Sequence, residues 1–237
     1  MTALSIHPPR PADRQSDGPE AEEILRTALR DRYPARIALV SSFGIESAVL
    51  LHMVAGIDPT TPVIFLDTGK LFHQTLLYRR SLVAWLGLTD VRDVRPNPAT
   101  IAALDPDGEL WRSDPDLCCA LRKTNPLDDA LEGFEAWITG RKRSQGMARA
   151  QIEPFETGPN GHDVVNPLAF WRAEDIAAYF QRHGLPRHPL EGEGYASVGC
   201  ENCTLRATLT GDRRAGRWFG TGKTECGIHL PRPHTPR

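Results

Sequence analysis

Five cysteines in three groups are the residues of this chain best suited to chemistry. Cys118 and Cys119 are adjacent in "DLCCALRKTN", Cys200 and Cys203 form a C-x-x-C in "GCENCTLRA", and Cys226 stands alone in "GTGKTECGIHL". Adjacent cysteines are poor partners for each other, because a disulfide prefers Cα atoms about 5.5 Å apart and consecutive Cα atoms lie about 3.8 Å apart. The C-x-x-C alone suits either a redox dithiol or half of a zinc site. As one set, the first four thiols could hold zinc, but zinc sites normally pair two spaced knuckles. Adjacent thiols fit more easily around a bulky iron–sulfur cluster, each ligating a different iron. The spacing favours the cluster and leaves zinc open.

Cys226 has Lys223 and His229 close in sequence, and cations favour the reactive thiolate, so it is a candidate nucleophile. An inert thiol in a polar tail is the alternative. Upstream, "DRRAGRW" adds Arg213, Arg214 and Arg217 as cations that either meet an anion or face solvent.

Three turns could hold a ligand for such a thiol. "SSFGIES" (Ser41 to Ser47) offers hydroxyls, a glycine that lets backbone approach a ligand, and a helix start suited to phosphate. "LDTG" (Leu66 to Gly69) ends an apolar run. "GRKRSQ" (Gly140 to Gln145) carries three consecutive cations directly after another apolar run, where fixed guanidinium groups can meet an anion. Each signal is weak alone, and an ordinary capped turn or a solvated charge run explains each. Together they point to an anionic nucleotide.

The elements that must position these turns read as alternating strands and helices. Helical spacing in "EAEEILRTALRDRY" precedes a buried strand in "ARIALVSSF" and a helix in "IESAVLLHMVAGI" closed by Gly56. "PVIFLDTG" is a second strand, "LFHQTLLYRRSLVAWLGL" a helix, and "DVRDVRPNP" a third strand stopped by proline. "AWITGRKRS" supplies a fourth strand running into the basic loop, "DVVNPLAFW" a short strand and "AEDIAAYFQRHG" a helix. This alternation implies right-handed crossovers and a parallel sheet with helices on both faces. Ligands of such a sheet sit outside the strands' carboxyl ends.

The chain has 237 residues and a formal net charge of −2, which points to neither a nucleic acid nor a membrane as partner. Residues 1–19 read as a Pro-rich disordered arm, residues 20–217 as one α/β domain, and residues 218–237 as a mobile segment carrying Cys226. No secretory signal is evident, so the expected compartment is the cytoplasm, where an odd number of cysteines argues for metal or thiol chemistry over disulfides.

"SSFGIES", "LDTG", "CCALRK", "ITGRKRSQ", "GCENC" and "KTECGIH", in this order, resemble assimilatory adenylylsulfate (APS) reductases, over about residues 36 to 229. The resemblance implies the adenine nucleotide alpha hydrolase-like, three-layer α/β fold shared with PP-loop pyrophosphatases and PAPS reductases. The pyrophosphatase turn reads S-G-G-x-D-S; here Phe43 replaces a glycine and Glu46 an aspartate, which argues for a nucleotide without a triphosphate. The resemblance further implies a 4Fe-4S cluster on Cys118, Cys119, Cys200 and Cys203, and thiolate attack by Cys226 on the sulfate sulfur. Lys123, Arg214, Arg217 and His229 would surround sulfate and phosphate. Ser41, Ser42, Phe43, Gly44, Glu46, Ser47, Leu66, Asp67, Thr68, Gly69, Gly140, Arg141, Lys142, Arg143 and Gln145 would hold the adenosine and phosphate. Thioredoxin or a similar dithiol would discharge the S-sulfocysteine as sulfite, and a homo-oligomer is expected. A cluster-bearing PAPS reductase and a non-catalytic zinc-binding nucleotide module are the rival readings.

Overall fold

In a computed structural model of the chain, residues 18–158, 161–206, 214–218, 221, 223 and 225–230 are described. Six strands form one sheet: β1 (Ile37–Ser41), β2 (Val63–Leu66), β3 (Val91–Val94), β4 (Ala136–Ile138), β5 (Phe155–Thr157) and β6 (Asp163–Val165). Their spatial order is β3-β2-β1-β4-β6-β5. All neighbours run parallel except β5, which pairs antiparallel with β6 at the edge.

Strand β1 is apolar on both sides because both sides are covered. Ile37 and Leu39 join the larger core with helices α1 (Gly18–Arg26), α2 (Ser47–Ile57), α3 (His73–Leu86) and α8 (Ala173–His183). Ala38 points the other way, with Ile64, Trp137 and Val164, onto Leu127 and Leu131 at helix α7 (Asn125–Ala130). This period-two division of side chains builds the three layers. Helix α2 is buried nearly all round, from Ala48 to Ile57, since it lies on the sheet beneath α1, α3 and α8.

The parallel sheet, its first four strands in sequence and the helices beside them agree with the sequence reading. Three features differ. Gly56 does not close α2, which runs on to Ile57 and is capped at Asp58. It is Gly87, left-handed at φ +66°, that ends α3. Strand β5 and the helices α4 (Pro98–Leu104), α5 (Leu110–Ser113), α6 (Pro115–Cys119) and α7 emerge where the sequence carries no clear periodicity. The expected arm, apart from Gly18 and Pro19 at the start of α1, falls outside the described residues.

His188 caps the short helix α9 (Pro189–Gly192) from inside the protein, 1% exposed. Its Nδ1 accepts the Leu190 N–H at 3.2 Å, so the proton sits on Nε2, 3.1 Å from Thr75 Oγ1. Burial pushes the imidazole down to about 4. The unfolded chain protonates His188 near its ordinary value and the folded chain resists, so this contribution is complete above about pH 6.5 and is lost as pH falls toward 4. Over that window the loss amounts to about 3 kcal/mol. Urea unfolding at pH 7, 5.5 and 4.5 should give a shallower pH slope for His188→Gln than for wild type; equal slopes would remove His188 as the source.

Candidate active site

The sheet order reverses between β1 and β4: from β1 the chain moves to β2 on one side, and β4 later enters on the other. Outside the carboxyl ends of these strands lies a cleft of about 940 Å³, at the position where open α/β sheets bind ligands. Its wall includes Ser41, Ser42, Gly44, Glu46, Ser47, Leu66, Thr68, Gly140, Arg141, Lys142 and Gln145 from the three turns singled out in the sequence. Lys123, Arg214, Arg217, Cys226 and His229 line the same cleft, so residues far apart in sequence converge there.

Four predicted binding residues do not line it. Phe43 adopts a left-handed φ of +47°, the conformation for which related turns use glycine, and sends its fully buried ring into the core. There it packs edge-on against Phe65, with centroids 5.4 Å apart. Asp67 shapes its own turn by accepting the Gly69 N–H at 3.2 Å and pairs with Arg95. Gly69 supplies the positive φ of that turn. Arg143 turns away, donating to the Ile152 carbonyl and pairing with Glu153 at 2.5 Å.

The basic loop has its charge balanced. Lys142 Nζ lies 2.7 Å from Glu46, so the carboxylate of the first turn answers the cation of the third. Arg141 pairs with Glu156 and donates to Asn166. Lys123 and Arg217 differ: among the described residues neither has a carboxylate partner, and both act on the sulfurs of Cys119, Cys200 and Cys226. Arg217 donates to the Val198 carbonyl at 3.0 Å and stacks 4.6 Å from the Trp218 ring centroid. Room for it exists because residue 199 is glycine, where a Cβ would fall 2.2 Å from its Nη2.

The adjacent cysteines sit on an irregular helical run. Asp114 starts α6 by accepting the Leu117 N–H at 2.9 Å, with Pro115 in the first turn. After Cys119 the helix widens into one π-helical turn, Ala120–Thr124, before α7. Consecutive helical residues diverge by about 100°, and the two thiols meet different partners. Cys118 faces Arg122, Cys200 and Cys203; burial chiefly raises its pKa, and Arg122 partly offsets this. Cys119 faces Cys226 and Lys123. Arg122 is itself held by Asp105 at 2.5 Å and by the Thr68 carbonyl. Thr68 Oγ1 lies 3.3 Å from Cys200 Sγ, tying the C-x-x-C turn to the end of β2. Among the described residues, no three Cys, His, Asp or Glu side chains close on a single-ion centre.

Cys226 reaches the cleft because the turn Gly227–His229 packs on the π-helical turn. Lys223, in the same segment, pairs with Asp116 of α6. The Cys226 thiol is drawn well below its ordinary pKa by donation from Cys119 and by the charges of Lys123 and Arg217, against the opposing effect of burial. Cys119 is pushed up in the same exchange. His229 stacks on Trp137 at 5.3 Å with 5° between the rings. Burial, then Arg141 and Arg149, hold the imidazole well below its ordinary value, so it is a neutral ring and not a cation at pH 7.

Two residues not singled out in the sequence complete the site. Arg149 and Glu225 form a buried ion pair, Nε to Oε2 at 2.6 Å, and the Cys226 N–H donates to Glu225 Oε1 at 2.8 Å. Burial alone would raise the Glu225 carboxyl, but Arg149 and Arg214 bring it down to about 2. A glutamate directly before the lone cysteine was the visible signal.

A family model described as the phosphoadenosine phosphosulfate reductase domain matches residues 36–206, most of the chain. The chain belongs to this family. Among relatives of the family, the adenosine 5'-phosphosulfate reductase of Mesorhizobium japonicum is 49% identical over 88% of this chain and 82% of its own length. That of Chelativorans is 46% identical over 94% and 95%, respectively. A crystal structure of the phosphoadenylyl-sulfate reductase of Candida auris, a phosphate complex, superposes with a TM-score of 0.68 at 28% identity, covering 78% of this chain and 90% of that one. Candida glabrata FMN adenylyltransferase, 12% identical with a TM-score of 0.58 over 82% of this chain and 68% of its own, shares the fold alone. The family's nucleotide alpha hydrolase-like architecture is therefore the one seen here, and no described helix is long and apolar enough to cross a membrane.

Gly199→Ala tests the placement of Arg217. The added methyl must push the guanidinium aside without touching the sheet, so the melting temperature should stay within about 4 °C while AMP affinity, read by calorimetry, falls about tenfold. Unchanged affinity would remove Arg217 from the anion site.

Proposed function

We propose that this protein reduces adenylylsulfate to sulfite and AMP, using Cys226 as nucleophile and a dithiol such as thioredoxin as reductant, in the reducing cytoplasm. The observation that carries this reading is the position of Cys226, which lines the nucleotide-sized cleft beside Lys123 and Arg217.

The sulfate sulfur of adenylylsulfate is electrophilic but screened by negative oxygens, so an attacking thiolate needs cations beside it. Lys123 and Arg217 supply this charge, with Arg214 on the same wall. The Cys226 sulfur forms a bond to the sulfate sulfur, and the bond from that sulfur to the phosphate oxygen breaks. AMP departs with the electron pair, leaving S-sulfocysteine. A thiolate of the reductant then attacks Cys226 Sγ, and sulfite leaves with the sulfur–sulfur pair. The second thiol resolves the mixed disulfide, so the dithiol is oxidised by two electrons and Cys226 returns to its starting state. His229, neutral and stacked on Trp137, is suited to donate its one ring N–H to an oxygen of the phosphosulfate.

Cys118, Cys119, Cys200 and Cys203 are free thiols with three of them buried, a donor set suited to soft iron and not to hard cations. They would hold a 4Fe-4S cluster, which when bound supplies a rigid charged link between α6 and the C-x-x-C turn. With Cys119 as a ligand, its proton is no longer available to Cys226, and Lys123 and Arg217 remain as the groups favouring the thiolate. The paired cations of the 140–143 loop support adenylylsulfate over its 3′-phosphorylated analogue, as do the names of the relatives at 46–49% identity.

Anaerobically purified protein should contain about four irons per chain and release sulfite and AMP from adenylylsulfate in preference to PAPS. Without reductant, wild type should gain one sulfo group on Cys226, seen by intact mass, while Cys226→Ser keeps iron, binds nucleotide and makes no sulfite. Sulfite production by Cys226→Ser at the wild-type rate would exclude the nucleophile. Cys200→Ser should lose iron and activity together; a colourless wild-type protein holding zinc would exclude the cluster.

A further inference from the structure

The two half-reactions place opposite demands on Cys226. Sulfo transfer needs the thiol inside the cleft, whereas discharge needs it in reach of another protein's thiols. Something must hold the segment in place and still let it go.

Glu225 sits where such a hold would act. Its carboxylate receives two nitrogens of Arg149, at 2.6 and 2.7 Å, and one of Arg214, at 3.2 Å. The same Oε1 accepts the amide of Cys226 itself. Arg149 belongs to the loop between β4 and β5, and Gln145 of the same loop accepts from its Nη1. The pair therefore ties the nucleophile's own peptide unit to the sheet, across 76 positions of sequence. Side-chain exposures of 9% and 7% keep water from sharing these bonds. A bidentate pair in such surroundings is directional, and leaves charges stranded if one partner is removed.

We propose that Arg149 and Glu225 form a latch that retains the Cys226 segment in the cleft for sulfo transfer and releases it for discharge. The proposal rests on the reading of Cys226 as nucleophile, and Arg149 acts in it as a positioning residue.

The test measures alkylation of Cys226 by iodoacetamide in the iron-loaded protein without substrate, so it does not depend on turnover. Arg149→Gln and Glu225→Gln should both raise the alkylation rate about tenfold, and the double variant should be no faster than either single one. In single turnovers both variants should slow formation of the sulfo adduct and leave its discharge by excess dithiol as fast or faster. Arg149→Lys should recover part of the hold. If the pair tuned only the thiol's charge state, removing the cation would slow alkylation and removing the anion would speed it. Opposite shifts, additive effects or unchanged rates would each overturn the latch. Melting curves identify any variant that merely unfolds, and Arg149→Lys then carries the comparison.

Discussion

Lys123 and Arg217 carry positive charge to the wall of a cleft where sulfur, and no described carboxylate, faces them. A half-enclosed cation without an anion is costly, and the surrounding structure is arranged to keep these two available. Nearby carboxylates are committed elsewhere: Asp105 to Arg122, Glu46 to Lys142, Glu156 to Arg141 and Glu225 to Arg149 and Arg214. The charge left over faces the cleft, where it can meet an anionic ligand. Glycine at 199 serves the same end by leaving the Arg217 guanidinium its space.

That arrangement needs distant segments brought to one place, and the sheet reversal at β1 and β4 does this. Three strand ends deliver the turns, the π-helical turn after α6 delivers Lys123 beside the paired thiols, and the β2 end holds the C-x-x-C turn through Thr68 and Cys200. The π-helical turn after Cys119 also lets the Cys226 segment pack against the helix, with Gly227 close to Thr124.

Strands whose two faces are both buried announce themselves as apolar runs, so β1, β2 and β4 and the turns that follow them could be read in advance. The cysteine groups were legible because their chemistry is narrow. Phe43 could not be placed from residue type, since its left-handed backbone sends the ring inward and only the packed core determines that. Arg143 and Arg141 look alike in sequence, and the carboxylates that capture them, Glu153 and Glu156, arrive from another part of the chain. Arg149 and Glu225 escaped for the same reason: an ion pair closed by the fold has no local pattern. The helices between residues 98 and 130 are short, and capping by Asn97 and Asp114 determines them more than any amphipathic period.

The order of the site's parts along the chain has a consequence for biosynthesis. A ribosome delivers the sheet, the basic loop and Arg149 first, then the C-x-x-C turn, and Cys226 after every other cysteine. Glu225 is made immediately before it and long after Arg149, so the ion pair that anchors the Cys226 peptide unit can close only after every other cysteine has been made. The rest of the sheet and its loops must therefore fold without that contact, which joins Glu225, beside the last cysteine made, to a loop made 76 positions earlier.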